Sequence, residues 1–101
     1  MNKSFIEVSG TRKDFPYVYR HDTSLKQLHV LNKNGWDFKR QAHYLSTFKG
    51  NVNGHIVAVS QFEDEWFFVT IVKNFPTMRI EKYYKCDQIE GVVDCLKSIC
   101  L

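Results

Sequence analysis

No apolar run in this 101-residue chain approaches the roughly 20 residues needed to cross a bilayer. Residues 1–10 hold no apolar core of signal-peptide length, so the expected compartment is the cytoplasm. Cysteine is scarce and odd in number. Cys86, Cys95 and Cys100 have no short paired spacing, which argues against a disulfide framework and against a zinc site. They are expected to be small reduced core residues. There are only two prolines and five glycines, and no linker, repeat or low-complexity stretch, so a disordered or fibrous chain is excluded. A Gly-rich phosphate loop, a nucleophile elbow and a Cys–His catalytic signature are also missing.

What is abundant is aromatic and β-branched. Aromatic residues make up 15% of the sequence, and length alone argues for a single domain over residues 1–101. The chain seems organised around residues 53–72, where Asn-Gly precedes His55-Ile-Val-Ala-Val-Ser60-Gln-Phe and, after Glu63-Asp-Glu65, Trp66-Phe-Phe-Val-Thr-Ile-Val72. Two β-favouring runs around a short acidic corner predict a β-hairpin. The second run is apolar on both faces, with Trp66, Phe68, Thr70 and Val72 on one and Phe67, Val69 and Ile71 on the other. Such a strand is central in its sheet and covered twice.

Elsewhere, residues 4–8 read as a short edge strand, and Asp22-Thr23-Ser24 opens a helix that ends near Gly35. Trp36 to Lys49 alternates as a long or bent strand. Gly50-Asn-Val-Asn-Gly54 then looks like a hairpin connection. Asn74-Phe-Pro-Thr77 turns the chain, and Met78 to Tyr84 alternates again. A final helix, capped by Asp87, runs to about Cys100 with Ile89, Val92, Val93, Leu96, Ile99 and Cys100 on one stripe. Gly91 lies off that stripe, at a cost of ~1 kcal/mol relative to Ala. The expected class is α+β: an antiparallel sheet of about four to five strands with two helices packed on one face.

Two short helices cover one face of such a sheet. The other is covered by the N-terminal segment, with Phe5, Ile6, Phe15, Tyr17 and Tyr19, or it is a contact surface. On the second view Trp66 and Phe68 are the anchors, with Glu63, Asp64 and Glu65 as a charged rim. The expected activity is then non-catalytic: stoichiometric contact with another protein, as in an inhibitor, an immunity protein or a phage-type accessory protein. A homodimer is a further possibility. No cofactor and no metal are expected.

The alternative rests on charge. Residues 1–55 carry nine Lys/Arg against four Asp/Glu, and residues 56–101 carry five against seven. A basic N-terminal half could steer toward nucleic acid, with Arg20, Lys39, Arg40 and His43 as the contact set and His43 as a general acid or base on RNA. The run Leu31-Asn-Lys-Asn-Gly35-Trp36, followed by Arg40 and His43-Tyr44, resembles the helix–Gly-aromatic–strand opening of HicA-type RNA-cleaving toxins. The resemblance covers about Leu28 to Tyr44, and Gln41-Ala42 stand where that family has Gly-Ser. It implies a double-stranded-RNA-binding-like fold with the histidine on the sheet. Of the two readings, nucleic acid is the less favoured.

Overall fold

The computed structural model describes residues 4–8, 25–40, 47–62 and 66–101. Along the described chain run β1 (Phe5–Val8), α1 (Leu25–Asn32), β2 (Lys39–Arg40), β3 (Thr47–Val52), β4 (His55–Phe62), β5 (Trp66–Asn74), β6 (Arg79–Cys86) and α2 (Ile89–Ile99). The strands make one sheet in the order β1-β6-β5-β4-β3-β2, with every pairing antiparallel. The class is α+β as expected, but the sheet has six strands rather than four to five. The difference lies at the edges. β1 has four residues and β2 two, too few for alternation to mark them clearly.

The centre follows the hydrophobic pattern. β4 and β5 pair from Ile56↔Val72 to Phe62↔Trp66. The preceding hairpin is tighter than the sequence suggested, because Gly50, Asn51 and Val52 belong to β3 and Val52 pairs with His55. Only Asn53 and Gly54 turn the chain, at φ 50° and 82°, the left-handed pair that a two-residue hairpin needs. Gly50 is needed within the strand for a different reason. A Cβ there would lie 2.8 Å from Cδ1 of Phe38. The Phe38 ring is held in place from α1: Asn32 accepts the Phe38 N–H at 2.8 Å and donates to its carbonyl at 3.0 Å.

Phe48, Val57, Val59, Phe67, Val69, Ile71, Tyr84 and Cys86 share one sheet face and form a single core with Leu31, Val92, Cys95, Leu96 and Cys100. Helices from both ends of the chain therefore pack on that face. In α1 the three-residue leucine spacing drifts around the helix: Leu25 is exposed, Leu28 half-buried and Leu31 buried. Asn34 closes the helix by donating to the carbonyls of Val30 and Leu31 at 3.1 and 3.0 Å.

In α2 the expected cap moves by one residue. Gln88, not Asp87, occupies the N-cap, in extended backbone and without a side-chain cap hydrogen bond. Gly91 is not a mere cost to the helix. It is buried, and a Cβ there would collide with the Ser4 carbonyl oxygen. The missing side chain lets the start of β1 dock on α2, where Ser4 Oγ also donates to Asp94 at 2.7 Å. At the other end, Asn53 Nδ2 donates to the Cys100 carbonyl at 2.7 Å and so ties the β3–β4 turn to the end of the helix.

Candidate functional site

Glu63, Asp64 and Glu65 lie outside the described residues, as do Arg20 and His43. So do Phe15, Tyr17 and Tyr19, the expected cover for the second face. Trp66 opens β5, paired with Phe62. Phe68 sits on the face away from the helices, in register with Ser60 and Lys85. It is 4% exposed and stacks on Tyr83 at 5.5 Å between ring centroids. A ring so enclosed offers little area to a partner, so Phe68 supports Tyr83 from beneath instead of anchoring a contact itself. Thr70 and Val72 are buried on the same face, which leaves β5 enclosed on both sides. Lys39 lies opposite Lys49 at the β2 edge, while Arg40 pairs with Phe48.

The exposed apolar residues gather at the end of the sheet opposite the acidic corner. The β5–β6 turn is closed by the Phe75 N–H donating to the Met78 carbonyl at 2.7 Å. Around it Phe75 is 44% exposed, Met78 58%, Ile80 40% and Leu101 88%. Between this turn and the end of α2 runs a groove of about 290 Å³, lined by Ile71, Phe75, Ile80, Ile99 and Leu101, with His55, Lys73 and Lys82 on the same walls. Sequence reasoning missed this site. The available signal was Phe75 itself, a large aromatic in a proline turn where small polar residues are usual.

Several polar groups are fixed near the groove. His55 Nδ1 lies 3.2 Å from the carbonyls of both Val52 and Asn53, so Nδ1 carries the proton and Nε2 is the nitrogen a ligand can meet. Lys82 Nζ is 3.8 Å from Glu7 Oε1 across β1 and β6. Tyr84 is pushed up to about 12, first by burial and then by the Glu7 carboxylate. The Cys100 thiol is pushed up to about 11 by burial, partly offset by Lys73. Cys95 is raised by its hydrogen bond with Cys86 and by burial. The thiolate forms of Cys95 and Cys100 are thus suppressed at neutral pH, which removes them as nucleophiles. Among the described residues no three His, Cys, Asp or Glu side chains are placed to hold a metal ion, and no helix is long and apolar enough to cross a membrane.

No family model and no solved structure matches the chain. It is 35% identical over 81 residues to Plexin-A4 of Mus musculus, an alignment that takes in 74% of this chain. The chain spans 4% of the length of that protein, so the similarity carries none of its activity across.

Proposed function

We propose that the chain is a small non-catalytic protein-binding module that acts by stoichiometric contact with another protein, in the manner of an inhibitor, an immunity protein or a phage-type accessory protein. The observation that carries this reading is the cluster of Phe75, Met78, Ile80 and Leu101, all large, apolar, exposed and gathered at one end of the sheet. Clusters of this kind, rimmed by charge, are where soluble proteins meet partners. The aromatic and aliphatic anchors are then Phe75, Met78 and Ile80. Trp66 with the acidic corner 63–65 forms a second contact at the far end of β4 and β5. Three buried free thiols suit a reducing compartment, and the cytoplasm is the proposed location. A second copy of the chain is one candidate partner.

The test is capture from native lysate by tagged protein, with and without nuclease, at low and high salt, comparing wild type with Phe75→Ser/Ile80→Ser. The proposal predicts one protein at fixed stoichiometry that survives nuclease and salt and is lost with the double variant. Recovery of RNA that disappears at high salt would transfer the function to the basic edge, where Lys39 and Lys49 face each other across β2 and β3. Failure to capture anything with either protein would remove the protein-binding reading.

A further inference from the structure

The apolar cluster is not charge-neutral, and its charge says what kind of segment fits it. Within the groove the apolar walls of Ile71, Phe75, Ile80 and Ile99 are accompanied by His55, Lys73 and Lys82, and by no carboxylate. The nearest described acid, Glu7, lies 3.8 Å from Lys82 on its β1 side, and Lys73 forms no ion pair among the described residues. The Lys73 ammonium reaches toward the β3–β4 turn, where a Cβ at Gly54 would lie 3.4 Å from Nζ. One apolar slot therefore meets two ammonium groups and an imidazole on its walls. The volume of about 290 Å³ is roughly twice the ~150 Å³ that holds a benzene, so a large side chain and part of a neighbour fit together.

We infer that the groove receives a protein segment in which a large apolar side chain is flanked by carboxylates. This rests on the protein-binding reading and names the chemistry of the partner at the same site. The apolar side chain fills the slot between Phe75, Ile80 and Ile99. The carboxylates meet Lys73 and Lys82, and one can accept from His55 Nε2 when that nitrogen is protonated. A basic segment of the same shape is rejected by the two ammonium groups, which gives the site selectivity by sign of charge.

The experiment uses the full chain and three blocked peptides, followed by amide chemical-shift perturbation. The peptides are acetyl-Glu-Leu-Phe-Asp-amide, its basic counterpart acetyl-Lys-Leu-Phe-Lys-amide, and an acidic peptide with Ala in place of Leu-Phe. The first is expected to shift amides of residues 71–82 and 99–101 and to bind about fivefold or more tightly than the second, from two exposed charge contacts. The third is expected to bind too weakly to saturate. Lys73→Gln/Lys82→Gln, two substitutions at the surface, should abolish the preference of the first peptide over the second. Equal binding of acidic and basic peptides, shifts elsewhere on the sheet, or a preference that survives the lysine substitutions would overturn the inference. The lysate capture is decided separately: a protein partner lost with Phe75→Ser/Ile80→Ser but held by Lys73→Gln/Lys82→Gln leaves the binding function standing and removes the acidic segment.

Discussion

Gly91→Ala should destabilise this protein, against the usual preference of helices. In a solvent-exposed helix interior the substitution gains ~1 kcal/mol, because alanine loses less backbone entropy on folding. Here the added methyl meets a main-chain oxygen, that of Ser4, which cannot rotate away as a flexible side chain would. The start of β1 must move. Two contacts then weaken. The Phe5 ring packs edge-on against Tyr84 at 6.0 Å, a pair worth ~0.5–1.5 kcal/mol. Ser4 Oγ donates to Asp94 at 2.7 Å, an exposed hydrogen bond worth about 1 kcal/mol. Their combined loss of about 2 kcal/mol exceeds the propensity gain and leaves a net destabilisation of roughly 1 kcal/mol, or about 4–8 °C in Tm for a chain of this size. Urea unfolding gives the sign. Hydrogen exchange gives the place: amides of Phe5–Val8 should lose protection while those of β4 and β5 keep it. A Gly91→Ala variant that is more stable by ~1 kcal/mol, with β1 still protected, would refute the docking argument.

Gly50→Ala should cost about 1–3 kcal/mol in urea unfolding, since its Cβ would press on a Phe38 ring that is itself buried and held by Asn32. No loss would mean that the ring is free to move. Stability should also fall at alkaline pH. Tyr84 and Cys100 have folded values raised to about 12 and about 11, above their ordinary values of 10 and 9. The unfolded chain therefore releases these protons first. The stabilisation they allow is complete below about pH 9 and is lost as pH rises through 11 and 12. Urea midpoints at pH 7, 9 and 10.5 should be flat over the first interval and fall over the second; a flat profile throughout would contradict the burial assigned to both groups.

Much of the fold was legible because its central strands obey a local rule. Val, Ile and Phe recur over 56–62 and 66–72, and pairing them buries both runs regardless of context. The edges were not legible. Arg40 and Lys39 join the sheet through β3, a tertiary effect that leaves no periodic trace in two residues. Gly50 and Asn51 read as loop residues because their turn propensity is strong, yet Phe38, twelve positions earlier than Gly50, supplies the packing that a glycine in a strand lacks. Gly91 read as a flaw because its neighbour, Ser4, lies at the far end of the sequence.

The candidate site divides in the same way. The two apolar faces of β5 were evident, but alternation alone does not say which face is covered, and Phe68 is enclosed where the sequence suggested an exposed anchor. The groove depends on bringing Ile71, Ile80 and Ile99 together from two strands and a helix, which only the sheet register and the docking of α2 decide. Phe75 was the one member whose local setting marked it as unusual.

The central claim is that the β5–β6 end of the sheet is where a partner protein sits. Its most direct measurement is site-specific photo-crosslinking in cells of origin, with the photoreactive residue at Met78 and, as control, at Leu25, which is exposed on α1. The account predicts one discrete protein adduct from position 78, with a mass of chain plus partner, and none from position 25. Adducts from position 25 alone, or to nucleic acid alone, would contradict it.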